Sequence, residues 1–420
     1  MPEEKKRHIS LFHGDIGIWI VFFFLCLISL IEVFSASSTL SFKSHNYMGP
    51  ITYHAATLAV GIVFMLVMTA IPCKYYKLMT PWVLLLSFIT LLWVLFGGES
   101  INGANRVIQL PGFTFQPSEI AKGSMVLATA QILSATQRED GRGTDTSAMK
   151  SILIVLVPML LLIGVENLST AALLFAVIFI MMFIGRVPMQ QLGKLLGVLL
   201  LCGAAVFALG SLYDEDDADK QLTTTEKVVT ADGEEKVEKD ENFFEKIFHR
   251  FSTWKHRFTS HNNSEDVPPE QYDLAENFQV GHANFAISSA GLLGKGPGNS
   301  VERDYLPQAF SDFIFAIIIE ETGLLGAIAT VLLYIILLLR CNSIARRCEN
   351  NFPAFLAMGL GILLVLQAVI NMMVAVGLMP VTGQPLPLIS KGGTSTIVSC
   401  IYIGAILSVS RWAKQKEAIA

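Results

Sequence analysis

The chain has 420 residues, of which 52% are hydrophobic and 15% are charged, and its mean hydropathy is +0.54. Because soluble domains carry about 25% charged residues, this composition excludes an ordinary soluble enzyme and favours a helical membrane protein. The formal net charge of −5 says little by itself, because the charged residues are segregated along the chain. From the hydrophobic composition we expect a membrane as the main environment, and we expect no nucleic-acid partner.

Ten mostly apolar segments follow one another, each near the roughly 20 residues that a helix needs to cross a bilayer. They do not alternate as the strands of a membrane barrel would. The predicted fold class is an all-α polytopic integral membrane protein with ten transmembrane helices. We place these helices at about 15–36, 53–71, 79–97, 118–135, 151–165, 168–184, 192–213, 312–339, 353–378 and 395–409.

An even number of spans puts both termini on one side, and the basic residues indicate which side. Lys and Arg concentrate on the side of the termini, whereas the opposite short loops hold little beyond Lys43, Arg106 and Lys391. The positive-inside rule then predicts cytoplasmic tails at 1–14 and 411–420. Helices 1–7 occupy 15–213, an extracytoplasmic loop covers 214–308, and helices 8–10 occupy 309–410.

The large outer loop has two parts of different composition. Residues 214–245 include 13 acidic and 4 basic residues and almost no large apolar ones, which is typical of a disordered segment. Residues 243–258, FFEKIFHRFSTWKHRF, place aromatic residues at helical spacing with basic residues between them. This pattern predicts an amphipathic helix at the outer membrane surface, either as an anchor for the loop or in contact with an anionic lipid head group.

One carboxylate stands where a polar, Gly-rich loop turns into an apolar helix, within the stretch 298–326. Asp312 is preceded by Ser311 and followed by FIFAIII. A carboxylate at the mouth of a membrane helix is costly and usually has a function. We predict that Asp312 is a general base.

The other outward segments supply cations and polar groups around that carboxylate. Glu119 and Lys122 are three residues apart, so they share a helix face and form either a structural pair or the polar floor of a cavity. Prolines and glycines in 377–395 forbid a regular helix, which suggests a cavity wall. The predicted binding residues for a sugar or pyrophosphate are Arg106, Gln116, Ser118, Lys295, Arg303 and Lys391.

Taken alone, outward cations and one carboxylate fit two kinds of protein. Arg and Lys hold pyrophosphate, which favours an enzyme acting on a lipid-linked substrate, but a transporter explains the same residues nearly as well. The six cysteines show no metal-binding spacing, so metal ligands are unknown. No cofactor is certain, and a divalent cation, Mg²⁺ or Mn²⁺, is a candidate for stabilising charge on a pyrophosphate.

Five segments resemble, in order and spacing, the signature segments of the SEDS family (shape, elongation, division and sporulation). They are GANR, QPSEIAK, GKGPGNS, YLPQAFSDFIFAIIIEETGLLG and GLMPVTGQPLPLISKGGTS. The resemblance covers nearly all of the membrane part. The short segments SDFIFAI, PVTG and GNS are closer to the division branch of the family than to the elongation branch.

This resemblance implies a peptidoglycan glycosyltransferase of the bacterial cytoplasmic membrane, active at the division septum. Its substrate would be lipid II, a disaccharide-pentapeptide carried on undecaprenyl pyrophosphate. It also implies a class B penicillin-binding protein transpeptidase and other division proteins as partners. A lipid II flippase and a division scaffold without chemistry are the alternatives.

The resemblance also carries roles to particular residues. The family's essential carboxylate falls on Asp312, its QPSE segment on 116–119 followed by Lys122, and its loop arginine on Arg106. The chain departs from the family pattern at four places, where Trp, His, Tyr and Pro-Asp are usual: Val107, Phe310, Lys391 and Glu166-Asn167.

Overall fold

The computed structural model describes residues 14–36, 49–97, 99–101, 104–110, 113–138, 143–201, 203, 278–306 and 309–417. Its helices are α1 (Ile16–Ala36), α2 (Gly49–Ala70), α3 (Cys73–Gly97), α4 (Pro117–Ala135), α5 (Ser147–Glu166), α6 (Leu168–Ile184), α7 (Met189–Leu201), α8 (Phe278–Ala290), α9 (Ile314–Arg347), α10 (Asn351–Ala375) and α11 (Gly393–Glu417). The predicted acidic and amphipathic segments, 214–245 and 243–258, lie outside the described residues.

Seven of these helices are long and apolar enough to cross a membrane: α1, α2, α3, α5, α9, α10 and α11. The helices α6 and α7 are apolar but shorter. The helix α4 is long enough, but Glu119 and Lys122 make it more polar. Large apolar side chains such as Phe23, Trp82 and Leu332 are exposed on the outside of the bundle, as lipid contact requires. The chain is therefore a polytopic helical membrane protein, while the count of ten spans stays a prediction.

Two differences from the sequence expectations concern the loops and helix ends. A small antiparallel sheet of β1 (Glu99–Ile101), β2 (Ala104–Leu110) and β3 (Phe113–Phe115) connects α3 to α4, where we expected only a loop. Asp312 lies in a turn, and α9 begins two residues later at Ile314. The helix therefore begins within two residues of the expected start at about 312, and Asp312 lies just before it.

Polar contacts fix the relative directions of neighbouring helices. Asp15 accepts a hydrogen bond of 2.9 Å from Arg340 Nε at one end of α1, and Ser35 bonds Glu321 at the other end, so α1 and α9 are antiparallel. The helices α2 and α11 are parallel, because Gly61 packs against Cys400 and, one turn further along both helices, Met65 packs against Gly404. Small residues allow such close approach between membrane helices.

The helix α9 is broken at Gly323, which has φ 71° and ψ −170°. Every residue from Ile314 to Glu321 is buried, whereas the later part of the helix exposes an apolar face. The backbone groups freed by the break bind the segment that follows α8. Lys295 N donates to Glu320 O over 2.9 Å, and Leu324 N donates to Gly291 O over 3.2 Å. The backbone groups at the break are therefore hydrogen-bonded within the protein.

This break yields a first prediction, for Gly323→Ala. A Cβ at this position would lie 2.3 Å from Leu292 O, and its φ is in the left-handed region that L-residues disfavour. We expect the free energy of unfolding to fall by roughly 2 kcal/mol or more. Thermal unfolding in detergent micelles, followed by a thiol-reactive dye on the buried cysteines, measures the change. The control is Gly193→Ala in α7, where nothing lies within 4 Å; an equal effect there would contradict the argument.

Candidate active site

The starts of α4, α6 and α11 meet the turn before α9 at one end of the bundle. Gln116 N donates to Thr394 Oγ1 over 3.2 Å, which joins the start of α4 to the start of α11. Thr170 Oγ1 in the first turn of α6 accepts from Gln384 over 2.6 Å. Ser390 Oγ donates to Ser311 O over 2.6 Å. Predicted site residues from distant parts of the sequence are thereby brought to one surface.

Asp312 lies half-buried in this surface, and its main chain is held from two sides. Asn371 Nδ2 in α10 donates to Asp312 O over 2.9 Å, and Lys391 N donates to Phe310 O over 2.9 Å. The carboxylate itself accepts a hydrogen bond of 3.1 Å from Ser311 Oγ. The backbone is thus fixed by other elements, while the side chain keeps partial access to the outside.

A buried polar chain runs beneath Asp312. Lys122 is fully buried, and its Nζ donates to Glu119 Oε1 over 2.9 Å and to Gln367 Oε1 over 2.8 Å. Gln367 in turn donates to Pro385 O over 3.0 Å in the irregular segment between α10 and α11. The predicted Glu119–Lys122 pair is confirmed, and through Gln367 it also supports the irregular segment between α10 and α11.

Lys391 stands beside the turn that carries Asp312. Its Nζ lies 4.9 Å from the centroid of the Phe310 ring, within the range of a cation–π contact. Burial lowers the pKa of Lys391, because water is partly excluded from its ammonium group. Two of the four departures from the family pattern, Phe310 and Lys391, are therefore in direct contact.

Two other predicted cations are engaged by glutamates at the end of the buried half of α9. Lys295 Nζ lies 2.5 Å from Glu320 Oε1. Arg303 Nη1 lies 3.7 Å from Glu321 Oε1 and donates to Gly298 O over 2.8 Å. Glu320 and Glu321 thus pair with two half-buried cations, whereas Lys122 binds Glu119 and Gln367.

The structure describes fewer contacts for the remaining predicted residues. Arg106 lies in β2, but its side chain is outside the described part of the structure. Gln116 is half-buried at the start of α4, and Ser118 is 5% exposed in its first turn. Asn167 accepts a hydrogen bond of 3.1 Å from Thr170 N, so it caps the start of α6.

Sequence reasoning missed the amide and hydroxyl side chains that hold the irregular segment 376–392. Gln367 and Asn371 are buried polar residues in an otherwise apolar helix, four residues apart, and this spacing was an available signal. Gln384 and Ser390 lie within the segment itself. The Oε1 of Gln384 and the Oδ1 of Asn371 are buried acceptors without a hydrogen-bond partner in the described part of the chain.

The described residues contain no group of three His, Cys, Asp or Glu side chains able to hold a metal. Around Asp312 they offer one carboxylate and one hydroxyl, so a divalent cation would need further ligands from a bound pyrophosphate. The predicted Mg²⁺ or Mn²⁺ stays a prediction. The described cysteines are all free thiols: Cys26, Cys73, Cys341, Cys348 and Cys400.

The fold and the site together define a helical membrane protein with a partly exposed carboxylate at the head of a broken helix. The FtsW/RodA/SpoVE family model, described as "Cell cycle protein", matches residues 16–226 and 245–415. The chain belongs to this family, which confirms the resemblance drawn from the signature segments.

Individual relatives agree with that assignment over most of their length. The chain is 29% identical to "Probable peptidoglycan glycosyltransferase FtsW" of Coxiella burnetii, covering 97% of this chain and 98% of that protein. It is 30% identical to the protein of the same name from Saccharophagus degradans, with 91% and 89% covered. It is 26% identical to "Peptidoglycan glycosyltransferase MrdB" of Escherichia coli, with 96% and 95% covered.

Solved structures show the same fold. A chain from a "peptidoglycan synthase complex" aligns with a TM-score of 0.69 at 21% identity, covering 96% of this chain and 99% of that one. The "Rod shape determining protein RodA" of Thermus thermophilus aligns with a TM-score of 0.62 at 20% identity, covering 95% and 97%.

The buried ion pair yields a second prediction. Lys122→Met leaves Glu119 as an unpaired buried carboxylate, so we expect the free energy of unfolding to fall by about 3–5 kcal/mol. Glu119→Gln in the same chain removes the stranded charge and should recover much of that loss. Thermal unfolding of both single variants and of the double variant forms the measurement. A double variant as unstable as the sum of the singles would show that the two residues are not coupled.

Proposed function

We propose that this chain is a peptidoglycan glycosyltransferase that polymerises lipid II at the outer face of the cytoplasmic membrane. Family membership and full-length similarity to proteins named as such glycosyltransferases support this function. The single structural observation that carries it is the position of Asp312: half-buried, at the mouth of the bundle, with its backbone held by Asn371 and by the segment 376–392.

In the proposed mechanism Asp312 acts as general base on the acceptor lipid II. It removes the proton of the GlcNAc 4-hydroxyl as that oxygen attacks the anomeric carbon of the donor MurNAc. The donor bond is α and the product bond is β, so a single inverting displacement with one base suffices. Undecaprenyl pyrophosphate leaves without needing a proton, because pyrophosphate is already a good leaving group.

The leaving pyrophosphate needs positive charge, and the chain offers several cations. Lys391 is adjacent to the Asp312 turn, and Arg106 is placed in β2 before α4. Lys295 and Arg303 are already paired with Glu320 and Glu321. We therefore assign the leaving-group role first to Lys391 and Arg106. Gln116 and Ser118 would contact the sugar, and the Glu119–Lys122 pair would form the floor.

The membrane orientation and the biological setting belong to the same proposal. Ten spans with both termini in the cytoplasm place Asp312 outside, where peptidoglycan is polymerised. The antiparallel arrangement of α1 and α9 is compatible with this alternation. A class B penicillin-binding protein is the expected partner, because glycan strands need crosslinking. Action at the division septum follows the similarity to proteins named FtsW.

A lipid II flippase is the main rival, and the break in α9 is the observation that favours it. Discontinuous helices often form the substrate sites of transporters. Here, however, the carbonyls freed at the break, Glu320 O and Glu321 O, bind Lys295 N and Gly296 N. The break is occupied by the protein's own backbone, which favours a structural role for it.

The third prediction tests the base. Asp312→Asn keeps an oxygen able to accept the bond from Ser311 but cannot take a proton. We expect glycan-strand formation to fall at least about 100-fold, since general base catalysis contributes 10²–10⁴-fold. The measurement uses purified chain in liposomes with labelled lipid II and a partner transpeptidase.

The matched control is Asp145→Asn, the same chemical change at an exposed carboxylate at the opposite end of the bundle. It should leave polymerisation unchanged. Polymer from Asp312→Asn at the wild-type rate would move the base elsewhere, with Glu119 next to be tested. Absence of polymer from the wild type, together with transfer of lipid II to the other leaflet, would support the flippase.

The fourth prediction concerns Lys391. Because burial lowers its folded-state pKa below the unfolded value, the charged ammonium destabilises the folded chain at pH 7; this penalty begins to fall as the pH rises through the folded pKa and is gone above the unfolded pKa. We therefore expect Lys391→Met to keep the thermal stability of the wild type while polymerisation falls about tenfold. Lys391→Arg, which keeps the charge, should retain more activity. Equal activity of the Met variant and the wild type would remove Lys391 from the site.

A further inference from the structure

A cavity of about 420 Å³ opens at the end of the bundle opposite Asp312. It lies between the start of α3, the end of α4, the end of α9 and the start of α10. Its charged lining residues are three basic side chains and one acidic side chain: Lys74, Lys77, Arg347 and Glu349. The volume is within the usual range for small-ligand sites, and the formal charge of the lining is positive.

In the described part of the chain, the basic residues of this cavity form no ion pairs with carboxylates. In the described part of the chain, no carboxylate lies within 4.0 Å of Lys77 or Arg347. Lys74 lies 5.0 Å from the centroid of the Tyr75 ring. Arg347 also occupies the last turn of α9, where a cation offsets the negative end of the helix. Among the described residues, neither Lys74 nor Lys77 forms an ion pair with a carboxylate, so an anion in the cavity would meet both charges.

The start of α10 adds hydrogen-bond donors to the same cavity. Asn350 precedes this helix with φ −96° and ψ 142° and makes no side-chain capping bond. The first backbone N–H groups of a helix point outward and favour negative charge. Asn351 and Phe352, which supply such groups, line the cavity. A basic lining and a free helix start therefore converge on one volume.

The surface beside the cavity indicates what kind of anion fits. Along one face of α3, at steps of four residues, Lys74 is followed by Leu78 and Trp82, which are 68% and 71% exposed. Charge at the helix end and apolar surface deeper along the same face match the profile of a phospholipid, with a head group above its acyl chains. A soluble phosphate would use only the first part of this surface.

We propose that this cavity binds the head group of an anionic phospholipid, with the acyl chains along the exposed face of α3. By the distribution of Lys and Arg, the site faces the cytoplasmic leaflet, where basic pockets between membrane helices bind such head groups. The site is separate from Asp312. It gives the enzyme a lipid contact that holds α3, α4, α9 and α10 together at the end away from the chemistry.

The test measures retention of lipid by the purified full chain in detergent, by native mass spectrometry during titration with dioleoyl phosphatidylglycerol or dioleoyl phosphatidylcholine. We expect tighter binding of phosphatidylglycerol to the wild type. In Lys74→Ala/Lys77→Ala the apparent Kd for it should rise roughly 5- to 25-fold, since each basic residue near an anionic head group contributes about 1 kcal/mol. Lys74→Arg/Lys77→Arg, which keeps both charges, should bind as the wild type does.

The matched control is Lys150→Ala/Lys194→Ala, which removes two exposed basic residues at the same end of the bundle but outside the cavity. An equal loss of affinity there would overturn the proposal in favour of general surface charge. Equal binding of the two lipids would overturn it as well. Displacement of phosphatidylglycerol by millimolar inorganic phosphate at constant ionic strength would reassign the site to a soluble phosphate. None of these readouts requires polymerisation, so the lipid site and the proposed function can fail independently.

Discussion

The structure around Asp312 depends on one constraint, that polar backbone inside a membrane protein must be hydrogen-bonded within the protein. Residues 376–392 form no regular helix, yet most of them are buried or half-buried in the bundle. Two amides of α10 satisfy part of this segment: Gln367 binds Pro385 O, and Asn371 binds Gln384 O over 2.8 Å. The same Asn371 binds Asp312 O, so the support of the irregular segment also sets the position of the carboxylate.

The segment that follows α8 is also irregular, and it is held by a carboxylate that accepts hydrogen bonds from several donors. Glu320 is fully buried. It accepts hydrogen bonds from Lys295 Nζ, from Ser300 Oγ and, over 3.0 Å, from the backbone N–H of Val301. A buried carboxylate is tolerated only when its charge is paired and its lone pairs are filled. The buried half of α9 thus begins at the turn that carries Asp312 and ends at a group that anchors the loop after α8. Both ends of this half-helix are fixed.

The sequence was informative where a residue's chemistry was unusual for its place. Asp312 and the Glu119–Lys122 pair stand out against apolar surroundings, and both could be identified from the order of residues alone. Pairings across distant segments could not be predicted, because cation and carboxylate types do not specify which partner is near. Lys295 with Glu320 and Lys122 with Gln367 depend on tertiary packing. The short strands before α4 were missed for a similar reason, since they are set by pairing with one another.

The contact between Lys391 and Phe310 changes how the departures from the family pattern should be interpreted. Considered one at a time, a lysine in the last outer loop and a phenylalanine before Ser311 are unrelated replacements. In the structure they form a single unit: the backbone N–H of Lys391 binds Phe310 O, and its ammonium lies over the ring. An aromatic face lowers the penalty of keeping a cation in a half-buried place. Phe310 therefore allows a charge to stand next to the Asp312 turn, where a neutral residue is usual. Compared with the family pattern, Lys391 adds a positive charge to the site, while the proposed base Asp312 is retained.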